Sequence, residues 1–341
     1  MYNFFIIKDS FAGVGPLYKK ITISEVARLA NVSTATVSRA LNDSPSVKES
    51  TKKKIVSIAN DLEARNSGGR KSSKMLLASF PELTNPFYSD VFRGILEAAG
   101  NRGYNVLFYA MSDYSLPESY SFFYENTFYD GLIIAHALPN AQVQQQLQSL
   151  APVVMVSEYS DSDTCYVAID NQKAAYTAVH YLLSSGRRKI ALINSSLRNN
   201  YAARREQAYR ACLADHGMKV NEDWVIHLSD INYGTCLDAS TRLLGQEDRP
   251  DAIFCVSDVY AAAATKAASE LGLKIPKELA VVGFDNIDLS TMTTPAITTI
   301  AQPTFQLGAQ ACSMLIDRIE YPATAPRRIL LDGELILRGT T

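Results

Sequence analysis

Two periodicities divide this chain. From Ile21 to Leu62 apolar residues recur at helical spacing, whereas from Met75 onward short apolar runs alternate with amphipathic stretches. In the first region Thr22, with Glu25 three residues on, is a capping box that opens a helix. Val26, Ala27 and Ala30 share one face of it. Asn31 tolerates the left-handed backbone that ends a helix and serves as a tight turn. Val32 plugs the corner, and Ser33 caps a second helix whose inner face is Val37, Ala40 and Leu41. A third helix over about 48–62 carries Ile55, Ile58, Ala59 and Leu62 at i, i+3, i+4 and i+7 and closes a small core. Two short helices joined by so tight a turn form a helix-turn-helix, a unit that lays its second helix in the DNA major groove.

The second region predicts strands over 76–80, 105–108, 131–135, 153–156, 189–193, 252–256 and 280–284. Helices are predicted over 87–102, 171–184, 202–216 and 260–271. Strand followed by helix, repeated, argues for an α/β fold with doubly wound parallel sheets. Residues 75–341 are too many for one such core, so two lobes are expected, with a ligand crevice at the carboxyl ends of the strands.

Charge sharpens this division. The net charge of −2 is the sum of opposed parts: residues 19–74 hold 12 Lys/Arg and 5 Asp/Glu, net +7, while 75–341 hold 20 and 29, net −9. A small basic module on a large acidic one is the footprint of a nucleic-acid-binding head on a non-binding body. With 47% hydrophobic and 20% charged residues the composition is that of a globular protein. The start lacks a basic n-region and a cleavage site, so no signal peptide is expected, and the location expected is cytoplasmic. Cys165, Cys212, Cys236, Cys255 and Cys312 are scattered and read as reduced core residues. His136, His180, His216 and His227 do not cluster at metal-ligand spacing. There is no Gly-x-Ser-x-Gly elbow and no dinucleotide fingerprint. No metal, no cofactor and no enzymatic activity are therefore expected.

The run Val32-Ser-Thr-Ala-Thr-Val-Ser-Arg-Ala-Leu-Asn42 resembles the signature of the LacI/GalR family of transcriptional regulators. That resemblance implies that Thr34 and Ala35 meet base edges and that Arg39 makes a further base or backbone contact. Ser33, Thr36, Ser38 and Asn42 would meet phosphates; the plainer alternative is that Thr36 and Ser38 only cap and solvate the helix. It also implies a periplasmic-binding-protein-like body whose chain crosses three times between lobes, the last near 299–303. The expected organisation is an extension outside the family pattern (1–20), a helix-turn-helix domain (21–62), a flexible basic linker (63–74) and a body for effector binding and dimerisation (75–341). The chain departs from the family in two places. Lys48 stands where the family caps the third helix, and the linker is short, contains Gly68-Gly69 and lacks the leucine that the family inserts into the minor groove.

By the same resemblance, Asp170, Arg205, Asp285 and Gln302 occupy effector-contacting positions, with Ser257 and Ile231 at two more. Carboxylates facing an arginine fork suit a ribose or sugar diol. An Asp285–Arg205 ion pair across the cleft is the structural alternative. Phe87 and Tyr88 could stack on a flat ligand or simply pack in the core. The runs 283–289, 295–303 and 334–340, the signature itself and the linker resemble the cytidine repressor branch in particular, which implies a nucleoside effector such as cytidine; a sugar is the alternative. The expected partners are operator DNA, that effector, a second copy in a homodimer rather than a tetramer, and a second DNA-bound regulator that fixes the loosely tethered heads. A two-lobed binding protein with no regulatory role is the remote alternative, and direction of regulation is not written in the chain.

Overall fold

In a computed structural model of the chain, the described residues are 5–7, 23–41, 47–48, 51–52, 54–55, 58, 72–126, 128–159, 164–323 and 325–341. The cap at Thr22, the phosphate contact at Asn42 and linker residues 63–71 lie outside them.

Helices α1 (Ile23–Ala30) and α2 (Thr34–Leu41) pack through Val26, Ala27, Ala30, Val37 and Ala40, with Val47 and Ile55 completing a separate small core. Ile58 packs against it, as the third-helix periodicity predicts.

The body holds two sheets. The first runs in the order β1 (Phe5–Ile7), β3 (Asn105–Ala110), β2 (Met75–Phe80), β4 (Gly131–Ile134), β5 (Val153–Val156), β6 (Cys165–Ile169) and β12 (Arg328–Leu331). The second runs β13 (Glu334–Ile336), β11 (Thr298–Ala301), β10 (Ala280–Asp285), β9 (Ala252–Cys255), β7 (Ile190–Asn194) and β8 (Val225–His227). Every pairing is parallel except β11 with β13. Central strands such as β4, β5, β7 and β9 are buried along their whole length, as parallel strands covered on both faces must be. The connecting helices are α3 (Tyr88–Asn101), α4 (Ser121–Glu125), α5 (Ala141–Leu150), α6 (Asn171–Ser184), α7 (Asn200–Asp215), α8 (Tyr233–Leu244), α9 (Asp258–Glu270), α10 (Leu289–Met292) and α11 (Thr304–Glu320).

Strand order reverses at β2/β4 in the first sheet and at β7/β9 in the second, and such switch points open a crevice at the carboxyl ends of the strands. The chain passes between sheets after β6, after β11 and between β12 and β13. The three expected crossings are present, but the segment 299–303 is the second; the last is Asp332–Gly333. It was hidden because β12 and β13 are short and half exposed, without a continuous apolar run.

Two other features lie outside the sequence reading. In α3 and α11 the backbones nearly touch: a Cβ on Gly94 would sit 2.2 Å from the Phe305 carbonyl oxygen, and one on Gly308 2.1 Å from that of Val91. At the root of the linker, the Asp130 carboxylate accepts from Ser72 Oγ at 2.6 Å, from Ser73 N and Oγ at 3.1 and 2.9 Å, and from Lys74 N at 2.8 Å. Three successive linker residues are thus held by one side chain at the start of β4.

Candidate functional site

The head presents its second helix by the devices the sequence predicts. Asn31 is left-handed, with φ of 56°. Val32 N donates to Ala27 O at 3.0 Å and Asn31 N to Arg28 O at 3.4 Å, the paired bonds of a Schellman ending. Ser33 Oγ accepts from Thr36 N at 3.1 Å and caps α2. Ser33 Oγ and Thr36 Oγ1 are also bonded to each other at 2.8 Å. Lys54 Nζ donates to Ala30 O at 3.1 Å, tying the third segment to the carboxyl end of α1. Ser33, Thr34, Ala35 and Arg39 are exposed, Thr36 and Ser38 half-buried, and Val37 and Ala40 buried. The exposed face of α2 therefore carries a hydroxyl, a methyl and a guanidinium, the groups that suit phosphate oxygen, thymine methyl and guanine.

In the body a cleft opens between the switch points, lined from both lobes, as small-molecule sites in such folds are. The first lobe lends it Asn85, Phe87 and Tyr88 from the loop after β2, Ala135 after β4, and Glu158 after β5. The second lends Asn171, Tyr201 and Arg205 from the amino ends of α6 and α7, Ser257 after β9, Asp285 at the end of β10 and Gln302 after β11. Arg205, Ser257, Asp285, Gln302 and Ile231, all singled out from sequence, come together here. Phe87 and Tyr88 line it too.

Asp170 does not line the cavity. It caps α6, accepting from Lys173 N at 2.9 Å, and its neighbour Asn171 takes the wall position. The arginine also differs from the expected alternative. Rather than contacting Asp285, Arg205 donates from Nε to Asn171 Oδ1 at 2.8 Å and from Nη1 to Val256 O at 2.6 Å. The residue is 4% exposed, and its guanidinium is stacked against Phe284 and close to Tyr201.

Glu158 was missed, although a carboxylate two residues past a continuous apolar run, at the carboxyl end of a strand, was a usable signal. It is 2% exposed. Burial pushes its carboxyl up to about 7, against the pull of Asn200, two backbone N–H groups and the charge of Arg205. Asp285 is likewise raised by burial and held back by Arg205, Gln302 and Ser257; Gln302 Nε2 donates to its Oδ1 at 2.7 Å. Behind it Asp258, raised by burial and by Asp285 itself, accepts from Thr299 Oγ1 at 2.6 Å and Ile287 N at 2.9 Å. Asp285 also adopts φ of 114°, a left-handed conformation rare for a side-chain-bearing residue, and such strain gathers at ligand sites. The cavity thus joins two buried carboxyl groups, one buried cation and aromatic rings, an arrangement suited to holding a polar, partly flat small molecule.

The histidine reading needs one correction. His180 and His216 do come together, with Cys212, across α6 and α7. Their separation along the chain concealed a pairing that only helix packing creates. All five cysteines are buried thiols, as expected. No helix among the described residues is long and apolar enough to cross a membrane.

Comparison with known proteins agrees with both halves. Residues 22–63 match the family described as bacterial regulatory proteins, lacI family, and residues 179–341 a periplasmic binding protein-like domain. The chain is 34% identical over 337 residues to the HTH-type transcriptional repressor CytR of Escherichia coli (strain K12), covering 94% of this chain and 96% of that one. It is 32% identical to catabolite control protein A of Priestia megaterium, over 86% of this chain and 91% of that one. Among solved structures, the transcriptional regulator CelR–cellobiose complex superposes with a TM-score of 0.72 at 26% identity, covering 94% of this chain and all of that one. The signature on α2, the two-lobed body and these relatives together place the chain in the LacI family of DNA-binding bacterial transcriptional regulators.

Proposed function

We propose that the protein is a repressor whose operator affinity is set by a nucleoside, with cytidine the leading candidate. The observation that carries this reading is the single cavity in which Glu158 and Asp285 face Arg205 and Asn171 beside Phe87, Tyr88 and Tyr201. Buried acceptors suit the hydroxyl pair of a ribose and the exocyclic amine of a base, while aromatic faces suit a planar ring. Similarity to CytR supports the same reading. On the DNA side Thr34, Ala35 and Arg39 would read bases, and Ser33, Thr36, Ser38 and Asn42 would meet backbone, with Ser33 and Thr36 acting as a bonded pair. One helix-turn-helix reads a half-site, so two chains would pair in a homodimer. Closure of the cleft would change the spacing of the heads, by no more free energy than the effector's preference for one state. A second DNA-bound regulator would add what the leucine-free linker lacks.

A sugar effector is the second reading, favoured by the cellobiose in the related CelR structure. Calorimetric titration of the full chain with cytidine, uridine, adenosine, ribose, cellobiose and common hexoses separates the two. Micromolar binding of a nucleoside, abolished by Asp285→Ala, supports the proposal. Silence toward nucleosides with a response to a sugar replaces it by the second reading.

A further inference from the structure

Away from the cleft, α6 and α7 bring a second constellation together. His180, Cys212 and His216 each offer one ligand atom, all within 4.8 Å of one another. Cys212 lies in the last turn of α7 and His216, four residues on, caps its end, so the two lie one above the other. The site lies about two helical turns beyond Arg205, roughly 10 Å along the same helix, and is separate from the effector cavity. Cys212 is buried, whereas both histidines are exposed, which leaves the cluster open to an entering ion.

The hydrogen bonds of the cluster orient its ligands. His216 Nδ1 lies 2.8 Å from Cys212 O. A carbonyl only accepts, so Nδ1 carries the proton and Nε2 presents its lone pair. Metal-bound histidines are held in this way, with one nitrogen tied to a carbonyl and the other on the metal. The His180 ring stands 5.1 Å from that of His216 and stacks on Tyr176 at 6.2 Å. Tyr176 Oη in turn donates to Asp215 Oδ2 at 3.0 Å, which holds a carboxylate beside the cluster. Two imidazoles and a thiol form a borderline-soft donor set that selects zinc-class ions over magnesium or calcium.

We propose that His180, Cys212 and His216 bind one zinc-class divalent cation, with solvent completing a tetrahedral shell. Zinc–nitrogen and zinc–sulfur bonds of roughly 2.0–2.3 Å require the ligand atoms to draw in by about 1 Å, a rotamer adjustment for the exposed histidines. Sulfur ligates as thiolate: the S–H bond breaks, the sulfur–metal bond forms, and the proton leaves to solvent. The bound cation would join α6 to α7, the two helices that carry Asn171 and Arg205 to the cleft. The test is calorimetric titration of untagged full-length protein with zinc, and cobalt(II) absorption for the sulfur ligand. One equivalent per chain with micromolar or tighter affinity is expected, weakened at least tenfold in both His180→Ala and His216→Ala. A thiolate–cobalt charge-transfer band should vanish in Cys212→Ser. The two histidine variants alter exposed side chains and keep the fold. Absence of saturable zinc uptake, or uptake unchanged in both histidine variants, overturns the site.

Discussion

The guanidinium carbon of Arg205 lies 3.4 Å from the centroid of the Phe284 ring. A buried cation in that position is fixed from three sides, because Asn171 and the Val256 carbonyl take two of its N–H groups. Phe284 directly precedes Asp285, so the ring that seats the arginine also sets the backbone that aims the carboxylate. Lysine offers neither the planar face nor the fork. Arg205→Lys should weaken binding of the effector found by titration at least about tenfold, near 1.4 kcal/mol, with an unchanged circular dichroism spectrum. Unaltered affinity would remove Arg205 from the binding role.

Glu158 gives the folded protein a signed dependence on pH. Its carboxyl, held up at about 7 in the fold against an ordinary 4.5, keeps a proton that the unfolded chain has released. Stability contributed at this site is therefore complete below about pH 4.5 and is lost as pH rises through about 7. In Glu158→Gln, whose carbonyl can still accept from Asn200, that loss should disappear. Urea unfolding should find the variant equal to wild type near pH 4.5 and more stable near pH 8, by up to about 3 kcal/mol. Parallel pH profiles for the two proteins would show that Glu158 is ionised in the fold at no cost.

Gly308 tests the contact of α3 with α11. A methyl there meets the Val91 carbonyl oxygen at 2.1 Å, and backbone on both sides leaves no side chain to swing away. Gly308→Ala should cost about 2–3 kcal/mol and lower the melting temperature of the body by several degrees. A melting temperature within a degree of wild type would mean that the helices separate freely.

The head allows two changes with different signatures. Ser33→Ala removes the α2 cap and should destabilise the head by about 1 kcal/mol, seen in thermal unfolding, with lower affinity for every DNA sequence. Arg39→Ala leaves the cap intact and should cost about 1–3 kcal/mol at one base position while relaxing discrimination there. Binding to operators substituted one base pair at a time distinguishes them. A uniform loss in Arg39→Ala would assign that side chain to phosphate.

What the sequence made legible follows where local chemistry decides the outcome. Helix α6 matches its predicted bounds because Asp170 caps it and Gly186 follows its end, both local signals. Strands β2, β4, β5, β7, β9 and β10 were legible because burial on both faces makes each a largely apolar run, whereas the interior strands β6 and β11 were passed over. Strands β8, β12 and β13 were not legible, since partly exposed edge strands carry mixed residues and gain their order from neighbours. Arg205, Asp285 and Gln302 could be located because their surrounding runs match the family pattern. Asn171 and Tyr201 enter the cavity through the angle at which their helices begin, and that angle is a tertiary property. Asp170 shows the converse: a position one residue away from the wall contributes a cap instead.

Strand β4 has Asp130 before its first residue and Ala135 after its last. The first grips the linker through four hydrogen bonds, and the second lines the cavity. The four residues of the strand separate them, five steps of extended chain or about 16 Å. Because β4 is buried along its length between β2 and β5, it cannot bend independently of its sheet. The anchorage of residues 72–74 and one wall of the ligand chamber are thus two ends of one buried strand, and a tilt of that strand moves both together.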